Sequence, residues 1–172
     1  HKWSNGTFLE CQDMFRENGI FRDVLLHKYE KTYIYDYEAI PVKKGNKYNL
    51  DIKITVKGDL KNKKLDVALH DGAKFIATEK VDAQKVTEIT FKNLEVDEWN
   101  AEIPRLYELY ITLVDGKDEV MTIRSYTGFK DIKIKNAVFY FNGKKVKLKG
   151  VNHHDTHETK GYALNYEDLL KD

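Results

Sequence analysis

The chain has 172 residues, with 29 basic and 28 acidic side chains and a net charge of +1. This balance favours neither nucleic acid nor an anionic membrane as a partner, and no run of about 18 apolar residues exists that would cross a bilayer. Eleven tyrosines and eight phenylalanines, against two prolines and two methionines, favour β-structure. Cys11 is the only cysteine, so no internal disulfide can form; this suits a reducing compartment, and we expect a cytoplasmic location.

Both ends of the chain indicate a piece of a longer polypeptide. The first residue is His1 and not methionine, and no apolar signal sequence follows it. A helix predicted from Tyr166 onwards is cut off at Asp172. We therefore expect one complete domain between two partial ones, and the three segments are 1–29, 30–127 and 128–172.

The first segment, 1–29, is too short to bury a core by itself. The apolar residues between Ile20 and Leu26 predict one strand, and the part before them is irregular. Apolar surfaces of the two flanking segments that a longer protein would cover would be exposed to solvent in this piece. We expect the apolar side chains of both flanks to pack on the central domain or to form a homodimer; they are Phe8, Phe15, Phe21, Val138, Phe139 and Leu148.

The second segment, 30–127, alternates apolar and polar residues, which is typical of half-buried strands. One face of the run from Leu50 to Val56 carries only aliphatic residues, and the other carries Asp51, Lys53 and Thr55. Similar runs separated by Gly-containing turns predict seven strands, at 32–40, 48–57, 64–70, 74–80, 86–92, 106–114 and 119–126. Seven short strands in about 100 residues predict an all-β fold, an immunoglobulin-like sandwich of antiparallel strands.

The third segment, 128–172, starts with a short strand at Ile132 and Ile134. Val138–Phe141 and Val146–Leu148 form a predicted hairpin around Asn142-Gly143, the strongest short hairpin signal. Asn165 is the predicted N-cap of a helix that begins near Tyr166, with acidic residues in its first turn. A strand, a polar loop and then a helix are how a β/α barrel begins.

The polar loop of this segment contains His153, His154 and His157, with Asp155 and Glu158 between and beside them. A zinc site is one interpretation, but it needs a third or fourth converging ligand and second-shell partners. A solvated loop is the plain alternative. The third interpretation places one histidine at a barrel mouth, where it hydrogen-bonds a substrate, because functional groups in barrels follow the strand ends.

Four other features have both a functional and a structural interpretation. Asp13 lies among large apolar residues, as a carboxylate in a partly buried loop would. Trp99 is either a platform for sugar stacking or a ring that fills the end of the sandwich. Tyr33, Tyr35 and Tyr37 are predicted to share one strand face, which would suit sugar stacking but also ordinary strand packing. Cys11 could be a nucleophile, but no spacing in the sequence indicates a Cys-His pair, and we expect it to act as a small buried apolar residue.

Three blocks in this order resemble the glycoside hydrolase family that contains the large multidomain β-galactosidases. They are WSNGTFLECQDMFRENGIFRDV, EWNAEIPRLYELYITL and GFKDIKIKNAVFYFNGKKVKLKGVNHHDTHETKG. By this resemblance, 1–29 is the end of a jelly-roll sugar-binding domain, 30–127 is the immunoglobulin-like domain, and 128–172 is the start of the (β/α)8 catalytic barrel. The first block is especially similar to the β-galactosidase branch; relatives that act on glucuronides or mannosides are less similar there.

The resemblance also implies roles for individual residues. Asp13 stands where an aspartate touches the galactose and helps to hold a sodium ion, and His154 where a histidine contacts the sugar near the transition state. His153 stands where the family commonly has arginine, which puts any contact from that side chain in doubt. Four residues match a motif that looks structural in the family, namely Trp99, Glu102, Pro104 and Tyr107. Mg²⁺ and Na⁺ are the ions that the resemblance implies for the full enzyme.

No catalytic residue is expected within the chain itself. A retaining glycosidase needs two carboxyl groups about 5–5.5 Å apart, and the resemblance implies two glutamates on later barrel strands, which nothing in this chain matches. We expect an inactive piece whose partners are the rest of the β-galactosidase chain and, in the full enzyme, a β-galactoside such as lactose. The alternatives are a non-catalytic β-sandwich that binds glycan or protein, and a β-glucuronidase or β-mannosidase relative.

Overall fold

A computed structural model describes residues 20 and 22–171. These residues belong to two compact units: residues 28–148 form one, and residues 149–171 belong to the other. Asp13, Cys11 and most of the predicted segment 1–29 lie outside the described residues. No strand forms at residues 22–26, and their apolar side chains are exposed, with Leu26 98% accessible. The predicted strand is therefore wrong for 22–26, because no neighbouring strand in the described part of the chain pairs with them.

Seven antiparallel strands form the sandwich, as the alternation predicts. They are β1 (Tyr33–Lys44), β2 (Lys47–Lys57), β3 (Lys63–Asp71), β4 (Lys74–Asp82), β5 (Val86–Leu94), β6 (Tyr107–Asp115) and β7 (Asp118–Thr127). One sheet has the order β1-β2-β5 and the other the order β4-β3-β6-β7. The inward residues of β2, β3 and β6 are almost fully buried and form the core between the sheets; they include Leu50, Ile54, Leu65, Val67, Leu109 and Ile111. Alternation thus places one face of each strand against the opposite sheet.

A β-bulge in β1 separates the three tyrosines that were predicted to share a face. Ile34 pairs with Val56, but the next pair is Asp36 with Thr55, so Tyr35 is the extra residue. Tyr35 is exposed, whereas Tyr37 packs against the core and its hydroxyl lies 2.6 Å from the Ser125 hydroxyl. The predicted tyrosine stripe is wrong because one extra residue reverses which side chains point inward.

Three short strands follow the sandwich within the first unit: β8 (Ile132–Lys135), β9 (Val138–Phe141) and β10 (Lys144–Lys145). Asn142 and Gly143 join β9 to β10 with positive φ angles of 48° and 76°, so the predicted Asn-Gly hairpin is confirmed. The predicted strand at Val146–Leu148 is wrong, since the pairing ends at Lys145 and only the Val146 N–H continues it, to the Phe139 carbonyl. Leu148 is 78% exposed and does not pack on the sandwich; self-association through the flanks stays a prediction.

The turn between β8 and β9 has no glycine. Asn136 and Ala137 occupy it with φ angles of 51° and 58°. Alanine in the left-handed region costs roughly 1–2 kcal/mol, because its Cβ crowds the following carbonyl. We expect Ala137→Gly to stabilise the chain by about 1 kcal/mol, as a rise of the urea midpoint at unchanged m-value. Ala73→Gly, next to the glycine of the β3–β4 turn, is the control, because Ala73 has no positive φ to relieve; an equal gain there would contradict the strain argument.

The second unit contains the polar loop and helix α1 (Tyr166–Lys171). The N–H of Asp168 donates to the side-chain oxygen of Asn165 at 3.0 Å, so the predicted N-cap is confirmed. Asp168 returns the bond by accepting from the Asn165 N–H at 3.0 Å, which completes a reciprocal cap. Among the described residues, no helix has the length and apolar character that crossing a membrane requires.

Candidate functional site

The candidate site is the histidine loop, residues 153–161, which lies between β10 and α1. His153 and His154 are both exposed, and the His153 Nε2 atom lies 3.0 Å from a carboxylate oxygen of Asp155. His157 is less exposed than either. The loop thus presents two histidines to solvent and directs the third into a hydrogen-bonded turn.

That turn is closed by backbone hydrogen bonds between His157 and Gly161. The His157 N–H donates to the Gly161 carbonyl at 2.9 Å, and the Gly161 N–H donates to the His157 carbonyl at 3.0 Å. Gly161 has a φ of 60°, which glycine adopts without strain. The Thr159 N–H lies 3.2 Å from Nδ1 of His157. Because Nδ1 accepts this bond, the ring proton of neutral His157 belongs on Nε2.

Asp168, in the first turn of α1, contacts the histidine loop through Lys160 and His157. Its side chain is 6% exposed, and Lys160 donates to its two oxygens at 2.7 and 2.6 Å. The Nε2 atom of His157 lies 3.9 Å from the same carboxylate. Lys160 and the Asn165 N–H hold the pKa of Asp168 below its ordinary value. A buried carboxylate therefore links the loop to the helix in its charged form.

The structure describes only some of the predicted site residues. His154 is exposed at the loop surface, and Asp13 lies outside the described residues, so the structure does not test the predicted pair. The zinc interpretation of the three histidines finds no support in residues 20 and 22–171, where no three histidine, cysteine, aspartate or glutamate side chains are arranged to hold a metal ion. The expected Na⁺ and Mg²⁺ of the full enzyme stay predictions, because Asp13, the expected sodium ligand, lies outside the described residues.

Lys160 and Asp168 were not among the predicted site residues. One signal for Asp168 was present: an Asn followed three residues later by an acidic side chain is the spacing of a reciprocal helix cap. Nothing in the sequence pairs Lys160 with Asp168, since they are eight positions apart and residues 162–165 between them form neither helix nor strand. Only the folded loop brings the two together.

A second polar cluster lies at the end of the sandwich. Glu98 Oε1 accepts hydrogen bonds from the Lys43 ammonium at 2.5 Å and from the Tyr48 hydroxyl at 2.7 Å. The bond from Lys43, followed by the bond from Tyr48, holds the pKa of Glu98 below its ordinary value, although partial burial opposes this. Burial and the neighbouring Glu98 raise the pKa of Tyr48. The cluster joins β1 and β2 to the segment that follows β5, and its role is therefore to stabilise the fold.

This cluster predicts a pH-dependent contribution to stability. Because folding lowers the pKa of Glu98 from its ordinary 4.5, its contribution is present at pH above 4.5 and is lost as pH falls through the lower folded value. We expect Glu98→Gln to destabilise the chain by about 1 kcal/mol at pH 7, and the difference to shrink towards pH 3. Urea unfolding at both pH values measures this; Glu102→Gln, at an exposed carboxylate, is the control. A difference that stays constant with pH would contradict the assignment.

Trp99 is half-buried and packs against the segment that follows β7 and against β9, which agrees with the structural interpretation. A Cβ on Gly128 would lie 2.9 Å from its ring, and the Phe141 ring meets it edge-on at a centroid distance of 5.8 Å. The backbone N–H of Trp99 donates to the Phe129 carbonyl at 2.8 Å, and the Trp99 carbonyl accepts from the side-chain amide of Asn142 at 3.0 Å. Trp99 therefore joins the sandwich to the β8–β10 sheet, which agrees with a structural role for its motif.

Comparisons with known proteins agree on one family. A model of the family described as "Glycosyl hydrolases family 2" matches residues 31–130, and one described as "Glycosyl hydrolases family 2, TIM barrel domain" matches residues 132–172. Proteins named beta-galactosidase are similar over nearly the whole chain. Those of Alteromonas mediterranea and Streptococcus thermophilus are each 33% identical, over 99% and 100% of this chain. The one of Staphylococcus xylosus is 35% identical over 99%.

The chain spans 18%, 17% and 16% of the lengths of these three relatives. Among solved structures, a beta-glucuronidase of Bacteroides uniformis has a TM-score of 0.70 at 18% identity, covering 82% of this chain and 18% of its own. One of Ruminococcus gnavus has a TM-score of 0.69 at 18% identity, covering 82% of this chain and 22% of its own. At these identities the likeness concerns the fold. Because the family model covers the whole sandwich, which is more than half of the chain, and the barrel model covers the segment after it, the chain belongs to glycosyl hydrolases family 2.

Proposed function

We propose that this chain is part of a β-galactosidase that hydrolyses terminal β-galactosides with retention. Residues 1–29 would end its sugar-binding jelly roll, residues 30–127 would form its immunoglobulin-like domain, and residues 128–172 would start its catalytic barrel. The observation that carries the proposal is the similarity of β-galactosidases across both flanks as well as the sandwich, over 99–100% of the chain in the relatives compared above.

Within this proposal, His154 and Asp13 orient the sugar and do not carry out the chemistry. His154 is exposed in the loop that follows β10, where it is accessible to a substrate. An imidazole that hydrogen-bonds a sugar hydroxyl accelerates the reaction only if that bond strengthens in the transition state. The sodium ion proposed at Asp13 and the magnesium ion of the full enzyme would supply charge for holding the sugar and the reacting groups.

The chain alone is proposed to be inactive, because a retaining reaction needs a nucleophile and an acid/base carboxyl about 5–5.5 Å apart. Two described carboxylates close to the histidines already have partners: Asp168 is buried against Lys160, and Asp155 pairs with His153. Without a carboxylate in reach of a bound anomeric carbon, no covalent glycosyl intermediate forms.

The test measures 4-nitrophenyl β-galactoside hydrolysis by the purified chain and by the longer gene product that contains it. We expect no turnover by the chain above a buffer blank, and turnover by the longer product. The 4-nitrophenyl β-glucuronide and β-mannoside are the matched control substrates. If the longer product hydrolyses either of them faster than the galactoside, that glycoside replaces the galactoside as the proposed substrate class. Activity that follows the 172-residue chain through purification would contradict its proposed inactivity.

A non-catalytic β-sandwich that binds glycan is the second candidate, and titration of the chain with galactose and lactose separates the two. Tight binding would favour the binding module. We expect none, because the loop that bears His154 is open to solvent.

A further inference from the structure

Lys160 and Asp168 form an ion pair in the second unit, and its carboxylate is buried. The Asp168 side chain is 6% exposed, and the carboxylate receives both bonds from one ammonium. Taking a carboxylate out of water is costly unless a cation and hydrogen bonds compensate it. Removal of Lys160 therefore leaves a buried charge whose remaining hydrogen-bond donor among the described residues is the Asn165 N–H, with His157 farther away at 3.9 Å.

The pair connects two segments with different roles. Asp168 belongs to α1 and is tied to its first turn by the reciprocal cap with Asn165. Lys160 belongs to the turn that His157 and Gly161 close through their backbones. The ion pair thus ties that turn to α1, and His154 lies three residues before the turn.

We propose that Lys160 and Asp168 are positioning residues that hold the histidine loop against α1, and thereby set where His154 meets the sugar. The step from loop position to catalysis depends on the proposed function, but the holding of the loop does not. Neither residue contacts substrate in this proposal. A shift of about 1 Å in a group that binds the transition state can lower a rate about a hundredfold, so a contact this far from the chemistry can still affect it.

Amide hydrogen exchange on the 172-residue chain tests the holding of the loop. In Lys160→Met we expect the His157 and Gly161 amides, which close the turn, to exchange at least about tenfold faster, while β2, β3 and β6 are unchanged. Lys160→Arg keeps the charge and can donate to both oxygens, so it should restore protection to within about threefold. Lys171→Met, the same substitution at an exposed lysine at the end of α1, should change neither amide. Equal exchange in the wild type and Lys160→Met would overturn the proposal.

Steady-state kinetics of the longer enzyme test the consequence for catalysis. We expect Lys160→Met to lower kcat/KM for the galactoside by about 10–100-fold, mainly through kcat, and Lys160→Arg to recover most of it. A loss confined to protein yield or Tm, with kcat unchanged, would mean that the pair only stabilises the fold. If the wild-type enzyme does not cleave galactosides, the proposed function fails, and the exchange experiment alone still decides whether the pair holds the loop.

Discussion

Replacing Phe129 by alanine is expected to lower the free energy of unfolding by about 3–5 kcal/mol. Phe129 is 0% exposed, although it follows the last strand of the sandwich. Its ring packs edge-on against Tyr48 and Tyr107, at centroid distances of 5.5 and 5.3 Å. Both tyrosines are anchored by their hydroxyls, to Glu98 and to the Asp97 N–H, and cannot readily move into the space left behind. The cavity therefore persists, and its cost adds to the lost burial.

Urea unfolding followed by tyrosine and tryptophan fluorescence measures this loss as a fall in midpoint at constant m-value. Phe75→Ala is the matched control, because the Phe75 ring is 53% exposed and its loss should cost no more than about 1 kcal/mol. Phe129→Leu should fall in between, since it keeps most of the apolar volume. A loss at Phe129 no larger than that at Phe75 would contradict the central position of this ring.

Replacing Gly58 by alanine is expected to cost about 3–4 kcal/mol, for two separate reasons. Its φ of 111° belongs to a region that residues with a Cβ rarely occupy, which costs roughly 1–3 kcal/mol. An added Cβ would also lie 2.3 Å from the Lys31 carbonyl oxygen and 2.6 Å from the Thr32 Cα atom. The backbone there is held in place, because the Thr32 hydroxyl donates to the Asp59 carbonyl at 3.1 Å and accepts from the Asp59 N–H at 3.0 Å. The clash cannot be relieved by rotating a side chain.

Gly72→Ala is the control that separates the clash from the backbone strain. Gly72 also has a positive φ, of 56°, but a Cβ there would meet nothing within 4 Å. Its substitution should cost only the left-handed strain, roughly 1–2 kcal/mol. Thermal and urea unfolding of the two variants give the comparison, and equal losses would show that the close approach of Lys31 and Thr32 adds nothing.

Periodicity and turn chemistry predict most of this fold. Strict alternation in the run Leu50–Val56 identifies β2 because burial of one sheet face requires it. Asn142-Gly143 predicts the β9–β10 hairpin, and Asn165 predicts the start of α1, since both depend on local backbone preferences. The family resemblance is likewise visible in short blocks of sequence, and the comparisons confirm it.

Features that depend on partners distant in sequence could not be read in this way. The bulge at Tyr35 is a mismatch between two strands, and neither strand's own pattern reveals it. Glu98 meets Lys43 across 55 residues of chain, and Asn142 reaches the Trp99 carbonyl across 43. Residues 132–148 contain one turn of each kind. The Asn142-Gly143 turn follows from local backbone preferences, whereas the Asn136-Ala137 turn, which has no glycine, is imposed by the pairing of β8 with β9.

The strand periods, the helix cap and the family follow from the sequence alone, because each depends on neighbouring residues or on motifs of contiguous residues. Which charged groups meet depends on the three-dimensional fold. The Lys160–Asp168 pair and the Lys43–Glu98–Tyr48 cluster form because folding brings distant side chains within hydrogen-bond distance, where partial burial strengthens their attraction.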